Sequence, residues 1–330
     1  AGRVRLRETA AVGQPADILW RVVRLLADAR LPQPQAIGHR VVHGGPQLRQ
    51  HTRIDATVLR QMADAAVYAP LHAPAALALI DAALQHFPRL PQVACFDTTF
   101  HAGMPEVAST LPLPRAWRDE GLRRYGFHGL SCESIVHQLR HDSAGGVPQR
   151  LLIAHLGHGA SVTAVRGGVS VDTSMGLTPA GGLLMGTRSG DLDPGLLLHL
   201  MRVKQLDAGG IEDLVERHGG LLGISGLSAD MRALHAAAGD HPDAALAIEM
   251  FCHTTAKAVA GLCAVLDGLD TLVFTGGIGE NDAAVRTAIC ARLGFLGVHL
   301  RDAGGKVRVL PSQEDEQIAR HVAALRPGWA

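Results

Sequence analysis

The chain has 330 residues, 47% of them hydrophobic, and its formal net charge at neutral pH is zero. This length exceeds what one compact core usually holds and predicts two domains. The balanced charge provides no broad field that would recruit nucleic acid or an anionic membrane. The five cysteines are scattered without a C-x-x-C pair, and no apolar run is long enough to span a bilayer. We therefore predict a cytoplasmic protein with reduced thiols.

Short apolar segments predict strands, and segments with helical periodicity lie between them. The predicted strands, in chain order, cover residues 3–7, 36–43, 92–96, 151–156, 161–166, 169–171 and 271–275. The predicted helices cover residues 15–30, 55–68, 74–87, 131–140, 192–202, 228–238, 243–268 and 281–293. The segment PSQED (311–315) begins a final helix, with Ser312 as its predicted N-cap. Strands that alternate with helices indicate an α/β protein with mixed sheets, and the long apolar helix at 243–268 is expected to be buried.

The segment HLGHGASVTAVRGGVSVDTSMGLTPAGGLLMGTRSG (155–190) contains the clearest functional pattern. Gly157 and Gly159 allow backbone N–H groups to approach a ligand closely, because glycine has no side chain. Hydroxyl groups follow at Ser161, Thr173 and Ser174, and further along the segment Arg188 stands in another glycine-rich stretch. A strand, a glycine turn and a second strand suit the binding of phosphate oxygens.

Several common enzyme motifs are absent from the sequence. It contains no G-x-x-x-x-G-K-[ST], which excludes a P-loop enzyme, and it also lacks H-E-x-x-H and G-x-S-x-G. Eighteen histidines are present, but none form the spaced pairs that zinc sites use.

Eight segments between residues 38 and 319 resemble, in order, the acetate kinase family of carboxylate kinases, within the superfamily of actin and the sugar kinases. They are GHRVVHGG (38–45), APLHAP (69–74), CFDTTFH (95–101), YGFHGLS (125–131), the 155–190 segment, GLLGISGLSADMR (220–232), FTGGIGEN (274–281) and LPSQEDEQIA (310–319). The resemblance implies a two-domain actin-like ATPase fold with a duplicated mixed-sheet core and an interdomain cleft. Residues 1–98 with 313–330 would form the first domain. Residues 99–312 would form the second, with the nucleotide site and the interface of a homodimer.

The resemblance also implies a reaction, namely reversible phosphoryl transfer from ATP to acetate, giving acetyl phosphate and ADP. The implied metal is Mg²⁺ or Mn²⁺, and the implied partners are acetate and ATP, without nucleic acid or membrane. A carboxylate is already ionised at neutral pH and needs no general base. The chemical difficulty is to bring one anion up to another, so catalysis should depend on positive charge, in-line positioning and the metal ion.

The family match assigns catalytic roles to five residues. Arg40 and Arg188 would clamp oxygen atoms of the transferring group, since a guanidinium binds such oxygens in a bidentate manner. His128 and His72 would donate hydrogen bonds to the transition state. Asp97 follows an apolar strand and would help to hold Mg²⁺ or position the carboxylate.

The remaining site residues follow from the same match. Glu314 would serve the metal, although Asp315 beside it could exchange roles with it. The predicted acyl pocket consists of Val42, Leu71, Phe127 and Pro179. The predicted nucleotide contacts are His155, Gly157, His158, Gly159, Asp172, Gly276, Gly277, Ile278, Gly279, Glu280 and Asn281. Residues 276–280 are predicted to form a glycine-rich loop between the strand at 271–275 and the helix at 281–293. A valine at position 42 keeps the pocket small, so acetate or propionate should fit better than butyrate.

The chain also departs from the family pattern. Nothing in residues 1–37 matches the family's N-x-G-S-S-S turn, so the first domain would lack its opening hairpin. His158 stands where the family has Asn, Cys132 where it usually has His, and TPAGG (178–182) where it has T-P-L-E-G. Three hypotheses therefore remain: an active acetate kinase, a kinase for another small acid such as propionate, and a non-catalytic relic that binds nucleotide.

Overall fold

The computed structural model describes residues 13–142, 146–299 and 305–325, apart from the side chains of residues 15 and 16. The strand predicted at residues 3–7 lies outside the described residues. The chain divides into two compact units. The first extends to Phe96 and resumes at Ile318, and the second runs from Asp97 to Gln317.

Strands and helices alternate along both units. The strands are β1 (Ile37–Val41), β2 (Thr52–Arg53), β3 (Gln92–Phe96), β4 (Arg150–Leu156), β5 (Ala160–Arg166), β6 (Val169–Thr173), β7 (Thr271–Thr275) and β8 (Val307–Val309). The helices are α1 (Pro15–Asp28), α2 (Ala56–Asp64), α3 (Ala73–His86), α4 (Glu106–Ser109), α5 (Arg115–Asp119), α6 (Gly129–His141), α7 (Pro194–Val203), α8 (Ala208–Glu216), α9 (Gly220–Ser225), α10 (Met231–Ala237), α11 (Pro242–Leu266), α12 (Gly276–Asn281), α13 (Ala283–Arg292) and α14 (Glu314–Leu325).

The first unit is built around a sheet with the strand order β1-β3-β2. β1 and β3 run parallel, from the pair Ile37–Gln92 to the pair Val41–Phe96, and β2 runs antiparallel to β3. Strand β3 is buried along its whole length, which explains its continuous apolar sequence. Helix α2 begins at a capped end, because the Asp55 carboxylate accepts hydrogen bonds from the backbone of Thr57 and Val58.

The second unit contains a larger sheet with the order β6-β5-β4-β7-β8. β4, β5 and β6 form an antiparallel meander, whereas β4, β7 and β8 run parallel. The β5–β6 connection is the tight turn at Gly167 and Gly168, where φ is +57° and +90°, a conformation that favours glycine. Helix α6 packs on this sheet through Ile135 and Leu139, which contact Ile153 in the core.

The predicted α/β class with mixed sheets is confirmed, and the strands predicted at 92–96 and 271–275 have the observed bounds. Three local predictions were wrong. Helix α14 begins at Glu314, so Ser312 is not its N-cap. Residues 276–280 form part of a short helix rather than a loop. The long helix α11 buries one face only and exposes Leu246 and Met250 on the other, although its sequence is apolar nearly all round.

Within the described residues, no helix combines the length and apolar character that crossing a membrane requires.

Candidate active site

The turn between β4 and β5 brings two side chains of the second unit together. Gly157 N–H donates to the Gly159 carbonyl over 2.9 Å, which closes the turn. A methyl group placed on Gly159 would lie 3.0 Å from Nε2 of His128 and 3.2 Å from Nη1 of Arg188. Both nitrogen atoms therefore converge on the face of one glycine. A larger residue at position 159 would occupy the space between them.

His128 is held in an unusual backbone conformation immediately before helix α6. Its φ is +58°, in the left-handed region that few residues other than glycine adopt. The next residue, Gly129, donates its N–H to the Asp97 carbonyl over 2.9 Å, and a methyl group on Gly129 would lie 2.2 Å from that oxygen. His128 Nδ1 is 2.9 Å from the Ser161 hydroxyl on β5. Backbone and side chain are thus both fixed, and Nε2 faces Gly159.

A second buried histidine supports this arrangement, and the sequence analysis did not single it out. His101 Nε2 lies 2.9 Å from the Phe127 carbonyl, which can only accept, so Nε2 carries the proton. Its Nδ1 then accepts from the Ser170 hydroxyl, 2.9 Å away. Burial lowers the pKa of His101 to about 4, which keeps the ring neutral. His101 therefore fixes the carbonyl that directly precedes His128.

Arg188 is also held by its own unit. Its Nη1 donates to the Pro179 carbonyl over 3.3 Å, and its carbonyl accepts from Met185 N–H over 3.1 Å. Pro179 was predicted to line the acyl pocket together with Phe127. The structure places Pro179 against the arginine, while Phe127 is almost completely buried.

The second glycine-rich segment is the short helix α12, not the predicted loop. Gly276 begins it with φ +79°, and the Glu280 carboxylate accepts from Gly276 N–H over 3.0 Å. The same oxygen accepts from Ser312 N–H over 2.8 Å. The start of α12 also lies beside the β4–β5 turn, since a methyl group on Gly157 would be 3.7 Å from Gly277 N. Glu280 was predicted as a nucleotide contact, and in the structure its carboxylate joins two backbone segments.

His155, at the end of β4, lies against His128. The two imidazole rings stack with centroids 4.1 Å apart and an interplanar angle of 21°. His155 Nδ1 is 2.8 Å from the Ser131 hydroxyl on α6. The Ser131 and Ser312 hydroxyl oxygens are 3.1 Å apart, and Ser312 donates to the Glu314 carboxylate over 3.2 Å. A row of polar contacts therefore joins the histidine pair to Glu314.

Two predicted acidic residues lie near one buried thiol. Burial is the main reason why the pKa of Cys132 rises to about 12, and the negative charges of Asp97 and Glu314 add to the rise. Both carboxylates are therefore within electrostatic reach of the same sulfur atom. Carboxylate oxygens are hard ligands of the kind that Mg²⁺ prefers, so the chemistry of Asp97 and Glu314 fits the implied metal.

Two further predicted nucleotide residues lie at the edges of this region. His158 is exposed, and a methyl group on Gly186 would lie 2.9 Å from its Nδ1, so the imidazole ring lies over that glycine. Asp172 accepts from Thr173 N–H over 2.7 Å on β6. Partial burial raises the pKa of Asp172, and the positive charge of Arg124 opposes that rise. The predicted residues Ile278, Gly279 and Asn281 belong to α12.

Four predicted site residues belong to the first unit. Arg40 is an exposed residue of β1, and Val42 follows that strand. Val42 lines a small apolar cavity with Met62, Ala69, Ala73 and Leu77. Leu71 and His72 directly precede α3, and His72 occupies its N-cap position.

The glycine turn, the two converging nitrogen donors and the nearby carboxylates on an α/β sheet are the parts of an ATP-dependent phosphotransferase. Comparison with known proteins agrees with that class. A profile of the Acetokinase family matches residues 13–319. The chain belongs to the Acetokinase family.

Individual relatives show how far the similarity extends. The chain is 45% identical over 319 residues to an acetate kinase of Synechococcus sp. (strain JA-2-3B'a(2-13)), covering 90% of this chain and 79% of the relative. The crystal structure of an acetate kinase of Porphyromonas gingivalis matches with a TM-score of 0.85 and 34% identity, covering 94% of this chain and 84% of that one. A propionate kinase of Francisella tularensis subsp. tularensis matches with a TM-score of 0.86 and 37% identity, covering 93% of this chain and 83% of that one.

Proposed function

We propose that the protein is an acetate kinase, which transfers the γ-phosphoryl group of ATP to acetate and forms acetyl phosphate and ADP, reversibly and with direct in-line geometry. The observation that carries this proposal is the convergence of His128 Nε2 and Arg188 Nη1 on the face of Gly159. Donors held in this way before the substrate arrives stabilise developing charge without reorganisation during the reaction. Membership of the family supports the choice of a carboxylate as acceptor.

In this mechanism, the chain's residues orient anions and neutralise charge. The acid arrives ionised, so no residue has to remove a proton. Arg188 binds an oxygen of the transferring phosphoryl group. His128 Nδ1 lies 2.9 Å from the Ser161 hydroxyl, which holds the ring, and its Nε2 would donate a hydrogen bond to a second phosphoryl oxygen. The turn at Gly157–Gly159 and the start of α12 are proposed to bind the phosphates of the nucleotide.

We propose that Mg²⁺, or Mn²⁺ in its place, is held by Glu314 and Asp97, directly or through water. The ion would neutralise negative charge on the phosphate oxygens. The hard carboxylate oxygens of these residues support this assignment.

We assign recognition of the carboxylic acid substrate partly to the four predicted site residues of the first unit. Arg40 and His72 would bind its carboxylate, and Val42 and Leu71 would limit its alkyl group, together with Phe127 and Pro179. The cavity beside Val42 is small and apolar, which favours a short acyl chain. The similarity to a propionate kinase makes propionate the second candidate acid.

We further propose a cytoplasmic homodimer that pairs through the second unit. Helix α7 supports this, because Leu196, Leu198, Met201 and Val203 are 42 to 59% exposed along it. An exposed apolar helix of this kind is typical of an interface. The five cysteines are all buried thiols, which agrees with a reducing compartment. Sedimentation of the wild-type chain and of Leu198→Glu tests the dimer, which the substitution should dissociate.

The decisive experiment measures acyl phosphate formation from ATP, Mg²⁺ and acetate, propionate or butyrate, with hydroxylamine to trap the product. We expect acetate or propionate to give the highest kcat/KM. A folded chain that binds ATP but forms no acyl phosphate with any of the three acids would contradict the proposal and favour the relic.

A further inference from the structure

Ser312 lies where three parts of the second unit meet, although its sequence pattern predicted only a helix cap. Its hydroxyl is 3.1 Å from the Ser131 hydroxyl on α6 and 3.2 Å from Glu314 Oε1 at the start of α14. Its backbone N–H donates to the Glu280 carboxylate over 2.8 Å. Glu280 in turn accepts from Gly276 N–H, which begins α12. One small residue thus contacts α6, α12 and the proposed metal ligand.

The Ser312 hydroxyl connects two sides of this region. It donates toward the Ser131 hydroxyl oxygen and toward the Glu314 carboxylate. The Ser131 hydroxyl also lies 2.8 Å from His155 Nδ1. The contacts therefore run from Ser312 to Glu314 on one side and, through Ser131, to His155 on the other.

The Ser131 contact holds the His155 ring in place. Nε2 of that ring lies 3.1 Å from where a methyl group on Gly276 would be, at the start of α12. The same ring stacks on His128, which is the proposed donor to the phosphoryl group. A change in the orientation of His155 would therefore also displace His128.

We propose that Ser312 is a positioning residue for phosphoryl transfer. It orients the Glu314 carboxylate toward the metal and, through Ser131, holds the His155 ring against His128. This inference rests on the metal and phosphate roles proposed above for Glu314 and His128. Hydrogen-bond partners of metal ligands typically affect affinity or activity by about 10- to 100-fold when they are removed.

The test compares Ser312→Ala with Ser312→Thr, which keeps the hydroxyl. The matched control is Ser134→Ala, since Ser134 accepts from Gln313 N–H over 3.2 Å and donates to the Ser131 carbonyl, but its hydroxyl contacts neither Glu314 nor His155 through these bonds. Calorimetry measures ADP affinity with and without Mg²⁺. Nitrogen-15 NMR measures the tautomer of His155.

We expect Ser312→Ala to lower the Mg²⁺-dependent part of ADP affinity by about 10-fold and to change the tautomer population of His155. Ser312→Thr should restore both, and Ser134→Ala should change neither. Wild-type values in Ser312→Ala, or an equal loss in Ser134→Ala, would overturn the inference.

The same variants separate this inference from the proposed function. If the wild type forms acyl phosphate and Ser312→Ala binds Mg²⁺ and ADP as the wild type does, the inference fails and the function stands. If the wild type forms no acyl phosphate, but Ser312→Ala still changes metal-dependent ADP binding and the tautomer, the function fails. The positioning role then stands for a nucleotide-binding protein.

Discussion

The sheets of the two units share a parallel arrangement but differ in what is added to it. In the second unit, β4, β7 and β8 run parallel, and β5 and β6 extend the sheet as an antiparallel meander. Among the described residues of the first unit, β1 and β3 run parallel, and only the two-residue β2 is added. The glycine turn, Ser161 and His155 all belong to the meander. The candidate phosphate-binding parts of the second unit therefore depend on strands that have no counterpart in the described part of the first.

The polar contacts differ in the same way. In the second unit, His128, His155, Ser131 and Ser312 form connected contacts that fix ring orientations. In the first unit, Val42 lines a small, mainly apolar cavity, and under the proposed function shape rather than hydrogen bonding would select the acid there. We expect substitutions in the second unit to affect phosphoryl transfer, and substitutions at the cavity to affect the choice of acid.

The largest expected effect is that of Arg188→Ala. It removes one of the two donors at Gly159, and loss of such a donor typically lowers kcat by about 10²- to 10³-fold. Hydroxamate formation with saturating acetate measures the change, and Arg115→Ala, an exposed arginine on α5, is the control. An unchanged kcat in Arg188→Ala would show that Arg188 does not contribute to phosphoryl transfer. The proposed difference in role between the two units would then be wrong.

Gly159→Ala tests the geometry rather than the charge. The added methyl group would lie 3.0 Å from His128 Nε2 and 3.2 Å from Arg188 Nη1, so at least one of them has to move. Small misplacements of catalytic groups cost up to about 100-fold, and we expect kcat to fall by about 10- to 100-fold. Gly176→Ala is the control, because no atom lies within 4 Å of its added methyl group. Equal activity in both variants would show that the convergence has no catalytic role.

His101 should make the second unit sensitive to acid. The pKa of His101 is lowered from 6.5 to about 4, so the unfolded chain binds more protons between these values. Stability should therefore be complete above pH 6.5 and be lost as the pH falls toward 4, with about 2 kcal/mol lost by pH 5. His101→Gln should be less stable than the wild type at pH 7, but its stability should fall less between pH 7 and pH 5.

Urea unfolding at the two pH values measures this difference, and His199→Gln, at an exposed position of α7, is the control. If His101→Gln has the same pH dependence as the wild type, the neutral buried ring does not contribute to acid sensitivity.

The smallest expected effect is that of Val42→Ala in the first unit. Enlarging the cavity by two methyl groups should raise kcat/KM for butyrate relative to acetate by roughly 10-fold, since a methylene group discriminates by about 1–3 kcal/mol. Competition between the two acids measures the ratio, and Val58→Ala, in the core of the same unit but outside this cavity, is the control. An unchanged ratio in Val42→Ala would assign acid selection to other residues.

Sequence patterns were most informative where burial and local geometry agree. Residues 92–96 and 271–275 are short apolar runs, and each forms a buried strand with the predicted bounds. His128, Gly159 and Arg188 were each predicted as site residues by motif, and the structure brings them together. Strand β2 was missed because two residues carry no periodicity, and it exists only through pairing with β3.

The wrong predictions at residues 276–280 and at Ser312 share a physical cause. In both places, backbone or side-chain atoms form hydrogen bonds with residues that are far away in the sequence. Residues 276–280 look like a loop because of their glycines, but a helix forms there, and the Glu280 carboxylate binds both its first N–H and the backbone of Ser312. Ser312 looks like a helix cap, but its hydroxyl contacts Ser131, 181 positions away in the sequence.

The amino-acid sequence by itself determined the α/β class, the order of the motifs and the residue types of the site, because these follow from local periodicity and from the chemistry that each motif needs. Only the tertiary structure decided that His128 Nε2 and Arg188 Nη1 meet at Gly159, that His101 fixes the carbonyl before His128, and that Ser312 joins three segments. Each of these contacts links residues far apart in the chain. Their partners are chosen by the packing of the sheet and its helices, which no local pattern contains.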